Sequence, residues 1–516
     1  MRAGWAIVLL FSVPAAAAQN TSLTAIERSK VDGYGVLTDK FGWGLRVDGD
    51  NLAVLHGFVS STVSFQEHRR AGPSWQFLSD LPAAAKYWTF SYTSSLALTG
   101  HPSAGSGPPR ANVMRKNGAV WSSTWLNAPD GFSAGTFGFA TAIDGATVLF
   151  TNPERSDAHT AEGAIYVYEN TGSALVLQQI LHGGAPNARL GMRVAIDGDQ
   201  MLALFAEQGG WTLRAFERSN GLWAVTQPSL GLSAGINWGE LVMDRGLAVM
   251  GAWSEGAYVF ANAGSGWFFD AELTGLPTAG LSTGWSKRIA LQDGVVAVGA
   301  PIDDQGGSDA GAVYLYARND GWRLQTVVRS SDLAADDNFG NGVALTGPRL
   351  LVGAPGQDGF DTNRGALYTF RLDHDPARVH CVPERTAAGC VSRMGFSGVP
   401  SVTSAQPFTL SASSVPNRRP GSLVFTLAGP QFLPYPGGIR CLAAPRELVA
   451  RQLSGGSTTG TDCSGALSVD FNALIQSGSA PQLMAGVTVN AQWTFRDPDG
   501  PSALASSEAI EFTIQN

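Results

Sequence analysis

Three stretches of the chain match G-x-S-x-G: Gly131–Gly135 (GFSAG), Gly231–Gly235 (GLSAG) and Gly280–Gly284 (GLSTG). In a hydrolase this pattern holds a nucleophilic serine on a sharp strand-to-helix turn, with a histidine base in reach. Ser133, Ser233 and Ser282 fit that role poorly. Such chemistry needs one serine, whereas here the motif recurs at one place in a repeated unit and no helix is predicted after it. A turn between repeats is the expected role. The seven histidines (His56, His68, His101, His159, His182, His374 and His380) include no i, i+4 pair and no HExxH. They read as scattered surface or loop residues. Neighbouring carboxylates at Asp303-Asp304 and Asp336-Asp337 have the residue types of a glycosidase acid and base. Both pairs lie in glycine-rich loops, where aspartate commonly caps a turn. No catalytic residue is assigned.

The elements that would have to position these groups are strands. Phe41-Gly42, Phe137-Gly138, Leu190-Gly191, Trp238-Gly239, Trp285 and Phe339-Gly340 each open an alternating run, and a degenerate copy lies near Lys86–Pro102, giving seven copies with starts about 47 to 54 residues apart. Asp48-Gly49, Asp144-Gly145, Asp197-Gly198 and Asp293-Gly294 supply the hairpin turn between the first two strands. A third strand opens at Gly163, Gly256, Gly311 and Gly365, and a fourth carries Trp75, Trp121, Trp223, Trp267 or Trp322. Four short antiparallel strands, seven times over, imply a β-propeller. The seventh copy lacks its fourth strand, while Ser22–Asp32 resembles Leu324–Asp336. The N-terminal segment is therefore expected to close the last blade, as the exposed edge of an incomplete ring demands.

The repeat resembles the FG-GAP repeat of the integrin α-chain propeller and of many bacterial exported proteins. The signature is complete in the copy from Phe339-Gly340 to Val352-Gly353-Ala354-Pro355, and the sixth copy keeps Val298-Gly299-Ala300-Pro301. The resemblance covers about residues 22–372 and implies a binding or adhesion role. It also raises calcium, which such repeats hold in a D-x-[DN]-x-D-G loop between the first two strands. Here that loop has shrunk to Asp-Gly, so the family's calcium role is not carried over to any blade. Asp303, Asp304 and Asp309, with Asp358 and Asp361, remain weak metal candidates in the next loop, and no cofactor is expected.

Strand direction gives the disc two faces. Tight hairpins share one, and the longer loops, residues 100–110, 152–162, 300–310 and 354–364, share the other. Recognition usually falls to variable loops on a rigid scaffold.

Composition agrees with an all-β chain: 516 residues, 63 of them glycine and only 15% charged. A net charge of −8 gives no footprint for nucleic acid. Arg2, the apolar run Trp5–Val13 and Ala16-Ala17-Ala18 form a signal peptide over residues 1–18, and no later stretch looks transmembrane. Residues 19–375 are assigned to a seven-bladed propeller and 376–516 to a C-terminal β-sandwich. The latter holds all four cysteines, Cys381, Cys390, Cys441 and Cys463, and an even number in an exported chain implies two disulfides. Three pairings exist, and sequence proximity favours Cys381–Cys390 with Cys441–Cys463. The expected product is an exported, non-enzymatic binding or adhesion-type protein, periplasmic, cell-surface or secreted, that presents propeller loops to an extracellular protein or glycan. A polysaccharide-acting enzyme with its site at the propeller mouth, or a purely structural envelope protein, are the alternatives.

Overall fold

A computed structural model describes residues 23–33, 40–56, 62–85, 89–101, 110–129, 136–207, 210–231, 238–252, 256–264, 266–276, 288–358, 364–374, 376–435 and 438–516. The signal segment 1–18, the three G-x-S-x-G serines (Ser133, Ser233, Ser282) and Asp361 fall outside the described residues.

The chain is all-β, with propeller-like four-stranded antiparallel sheets. Seven such sheets form among the described residues. Their first strands are Gly44–Asp48, Phe90–Tyr92, Thr141–Asp144, Val194–Asp197, Trp238–Asp244, Arg288–Gln292 and Gly342–Thr346. Each first strand touches the first strand of the next sheet, and Gly342–Thr346 touches Gly44–Asp48, so the inner strands close a ring. The seventh sheet takes three strands from residues 342–374 and its fourth from Leu23–Asp32, which pairs with Ala366–His374 from Leu23↔His374 to Asp32↔Ala366. Lys30 on this N-terminal strand bonds Asp332 at 2.8 Å, and Glu27 accepts from the Ser331 backbone N–H at 2.9 Å.

The repeat signature is junction chemistry. Phe41 and Phe339 are buried between successive blades, each bridging the glycine that opens the preceding blade's third strand (Phe41↔Gly365, Gly311↔Phe339). Each buried ring contributes about 2 to 3 kcal/mol of apolar burial. The following glycine has no space for a side chain: Gly42 sits at φ +90°, and a Cβ there would meet the Ala366 carbonyl at 2.7 Å. The glycine of Val-Gly-Ala-Pro is its counterpart, since a Cβ on Gly353 would lie 1.9 Å from the Gly42 carbonyl oxygen. The fourth-strand tryptophans Trp75, Trp121, Trp223 and Trp267 are all buried, each in an apolar cluster between blades.

Beyond the ring, a five-stranded sheet and a three-stranded sheet cover one core, with Met394, Phe396 and Leu410 facing Leu423, Trp493 and Phe512. Two elements here have no sequence signal noted above. One is a single helical turn, Phe471–Gln476, capped by the Asp470 side chain accepting from the Asn472 N–H. The other is a separate hairpin, Pro430–Tyr435 with Gly438–Leu442.

Both disulfides form, with the pairing expected from sequence proximity overturned. Cys381 bonds Cys441 and Cys390 bonds Cys463, with Cα–Cα distances of 6.1 and 5.4 Å. The reason is packing. Cys381 emerges from the strand Ala377–His380 into a small apolar cluster with Cys441, Leu442 and Ala509. Cys390 closes a turn on Thr386 that carries it to the loop holding Cys463.

Removing Leu23–Asp32 takes away the seventh sheet's edge strand. A loss of about 10 °C or more in the thermal midpoint of the whole ring is expected, measured by circular dichroism. An unchanged melt would show that the ring closes without it.

Candidate binding face

In the hairpin-and-loop geometry of each blade, the first-to-second and third-to-fourth turns lie on one face of the ring. The hairpins of the fifth and sixth blades are docked against the C-terminal unit. Asp320, at the third-to-fourth turn of the sixth blade, donates its N–H to the Met394 carbonyl at 2.9 Å, and Asn319 Oδ1 accepts from Phe396 N–H at 3.0 Å. Arg245, at the first-to-second turn of the fifth blade, lies over Phe432 of the extra hairpin, 5.0 Å from the ring centroid.

A buried charge quartet sits behind these contacts. Arg318, Asp270 and Glu508 are wholly buried and Arg393 nearly so; Arg318 and Asp270 belong to the propeller, Arg393 and Glu508 to the C-terminal unit. Arg318 lies 3.5 Å from Asp270 and 3.3 Å from Glu508, and Arg393 bonds Asp270 and stands 3.6 Å from Glu508. Trp322 Nε1 donates to Asp270 at 2.9 Å, and Arg318 Nη1 donates to the Cys381 carbonyl at 2.6 Å. Burial pushes the Asp270 carboxyl up, but Arg393 and Arg318 outweigh it and hold it below the usual carboxylate range. Formally two cations face two anions, although burial pushes the Glu508 carboxyl up against the pull of Arg318 and Arg393. Removing one partner strands its opposite in a dry site, at a cost of about 3 to 5 kcal/mol.

Among the described residues, the loops 152–162 and 300–310 lie on the other face. Asp303 sits at the base of the loop 300–311, where Oδ2 accepts from the Tyr314 hydroxyl at 2.6 Å and Oδ1 from the Gln305 N–H and Arg329 Nη2, both at 3.0 Å. Burial raises this carboxyl, but those bonds prevail and keep it ionised below its ordinary range. Asp304 caps the Asp309 N–H at 2.9 Å. Asp303 and Asp304 brace the loop through these bonds, Asp309 offers its N–H to Asp304, and Asp358 is an exposed residue of another blade. Asp337 likewise caps the Ala334 N–H at 2.8 Å.

In the third blade the corresponding position is Arg155, whose Nη1 donates to the Tyr166 hydroxyl at 2.9 Å. A brace tolerates either sign of charge at that place, whereas a catalytic or metal role requires one. Arg155 pairs with Asp157 at 3.3 Å, and Asp157, Glu162 and His182 form, among the described residues, the one group of three whose ligand atoms gather within 4.8 Å. Sequence spacing missed this group because His182 comes from the blade's outer strand, outside the loop. Arg155 already supplies positive charge there. His68 and His380 are structural: His68 is fully buried against Phe41 and Phe77 and its pKa falls to about 4 through burial, and His380, bonded to Asn490 at 2.9 Å, falls to about 3 for the same first cause.

At the hairpin end of the inner strands, an aspartate of one blade reaches to the turn of the next. Asp48 accepts from Ser94 N–H at 2.7 Å, Asp144 from Gly198 N–H at 2.6 Å and Asp244 from Asp293 N–H at 2.7 Å. Burial raises the Asp244 pKa to about 6, the charges of Asp293 and Asp197 adding to it, against the Asp293 N–H and Arg245.

The FG-GAP repeat family model matches residues 322–370, from the outer strand of the sixth blade through the third strand of the seventh. The chain is thus a β-propeller protein carrying an FG-GAP repeat. No curated protein matches the sequence. Among solved structures, the β-propeller domain of Cps50 (Swd1) from Myceliophteria thermophila is 12% identical, with 68% of this chain and 99% of that one covered at a TM-score of 0.40. The WD40 domain of Toxoplasma gondii coronin is 11% identical over 69% and 87%, with a TM-score of 0.39. A putative 6-phosphogluconolactonase from Bacteroides uniformis is 13% identical over 59% and 88%, with a TM-score of 0.41. At these scores none carries an argument about this chain.

Two outcomes are expected from this charge map. Glu508→Gln lowers stability by about 3 kcal/mol or more by stranding Arg318, measured by urea unfolding; a change under about 0.5 kcal/mol would remove the quartet from the docking account. Asp244 has a folded pKa above its unfolded value, so its favourable contribution is complete below pH 3.8 and lost as the pH rises through about 6. Asp244→Asn is therefore expected to gain about 2 to 3 kcal/mol over the parent at pH 7.5 and nothing at pH 3.5, read from paired melts at the two pH values.

Proposed function

We propose that this chain is an exported, non-enzymatic binding scaffold whose loop face meets an extracellular protein or glycan. The observation that carries this is the unequal use of the two faces. The hairpins of the fifth and sixth blades are occupied by the C-terminal unit, while the loops 152–163 and 300–311 are braced at their bases and expose polar tips, including Glu154, His159, Asp304 and Ser308. A rigid base with exposed, variable tips is the arrangement binding loops need. The carboxylates with the residue types for hydrolysis are already engaged by Tyr314, Arg329 and backbone N–H groups. Two disulfides support an oxidising compartment. Among the described residues no helix is long and apolar enough to cross a membrane.

The test is a glycan array, with immobilised extracellular matrix proteins alongside, probed with the chain lacking residues 1–18. Binding is expected, and the combined Glu154→Ala, His159→Ala and Ser308→Ala variant should lose about tenfold in affinity while melting as the parent does. A hairpin-face change such as Asn117→Ala should leave binding unaltered. Turnover of a polysaccharide, lost in an Asp304→Asn variant of parental stability, would replace the scaffold with an enzyme.

A further inference from the structure

The loop of the third blade and the strand beside it bring three metal-binding side chains together. Asp157 and Glu162 belong to the loop 152–162, and His182 ends the outer strand Leu175–His182. His182 Nδ1 lies 3.7 Å from Glu162 Oε1 and 3.9 Å from Asp157 Oδ2. Backbone bonds hold the two segments in place. The Gly183 N–H, one residue past His182, donates to the Gly163 carbonyl at 3.0 Å, one residue past Glu162. The Gly163 N–H closes the loop on the Arg155 carbonyl at 3.1 Å.

Glu162 gives the cluster its need for a cation. Its side chain is only 1% exposed. Glu67, Asp270 and Asp303 are as deeply buried, and each faces a lysine or arginine: Lys116, Arg393 and Arg329. Among the described residues no lysine or arginine pairs with Glu162. Its Oε1 accepts the Ala158 N–H at 3.1 Å, and the group of opposite charge type beside it is His182. An ionised carboxylate away from water is costly without a counter-charge. Arg155 bonds Asp157 at 3.3 Å, and one guanidinium offsets at most one of the two carboxylates.

We propose that Asp157, Glu162 and His182 form a zinc site that ties the loop of the third blade to its outer strand. Ligand atoms around a tetrahedral zinc at about 2.0 to 2.2 Å stand about 3.3 to 3.6 Å apart. The spacings of 3.7 and 3.9 Å exceed this by about half an ångström, a gap that rotation of the exposed Asp157 and His182 side chains closes. An imidazole with two carboxylates suits zinc, whereas calcium and magnesium take oxygen ligands. Thiolates do not compete, because all four cysteines are in disulfides. Three protein ligands leave a further position for water or for an oxygen of a ligand at the loop face. Zinc binding here does not depend on what the loop face recognises.

Isothermal titration of the untagged chain lacking residues 1–18, with zinc chloride and separately with calcium chloride, tests the site. One-to-one zinc binding is expected, with a dissociation constant of about 1 µM or tighter. His182→Ala and Glu162→Gln should each weaken it about tenfold or more, since each removes one ligand of three. His159→Ala, in the same loop but outside the cluster, should leave the affinity unchanged. His182 is exposed at a strand end, so its variant reads zinc binding even where Glu162→Gln does not fold. Absence of zinc binding, calcium bound as tightly as zinc, or equal zinc affinity in the parent and His182→Ala would overturn the site.

Discussion

Where one blade meets the next, backbone presses on backbone, and glycine is what allows it. At the junction of the seventh and first blades, Gly353 lies under the Gly42 carbonyl and Gly365 against the Phe41 carbonyl, with distances of 1.9 and 2.1 Å to the positions their Cβ atoms would take. The same contact joins Gly299 to Gly340 and Gly100 to Gly138. This close approach lets the buried phenylalanines and tryptophans of neighbouring blades share their apolar clusters. It fixes the tilt of each sheet against the next, and the division into a hairpin face and a loop face follows from it.

On that frame the two faces acquire different duties. The quartet of Arg318, Asp270, Arg393 and Glu508 commits the hairpins of the fifth and sixth blades to the C-terminal unit. The Cys381–Cys441 disulfide sits beside this junction, with the Cys381 carbonyl accepting directly from Arg318. A buried pair of this kind adds little net stability over an apolar contact of equal shape, but a mismatched partner leaves an unpaired charge in a dry site. We read the quartet as fixing where the C-terminal unit docks. The loop face keeps its braced bases and exposed tips.

Much of the fold was legible because the repeat's signature is the junction itself: a Phe-Gly or Val-Gly-Ala-Pro has few other reasons to recur at a fixed period. The Asp-Gly turns were equally readable, since a two-residue hairpin demands positive φ, which Gly49, Gly145 and Gly198 adopt. The disulfide pairing was not, because nearness along the chain says nothing about which strand carries Cys381 toward Cys441. Charge pairing across the ring was less legible still. Arg46 and Glu240 are 194 positions apart and meet only because the ring closes. Nothing in the local context of either residue marks it. The loop carboxylates were visible as candidates, but the bonds to Tyr314 and Arg329 that occupy Asp303 depend on a strand register that composition does not show.

Thermal unfolding of two glycine variants tests the junction most directly. Gly353→Ala adds one methyl group at a position with no positive φ, so its cost is steric overlap with the next blade alone; Gly49→Asn alters an open hairpin turn where nothing lies within 4 Å of the added Cβ. The account predicts that Gly353→Ala lowers the midpoint by about 5 °C or more, while Gly49→Asn stays within about 2 °C of the parent. Equal midpoints for the two variants would contradict it.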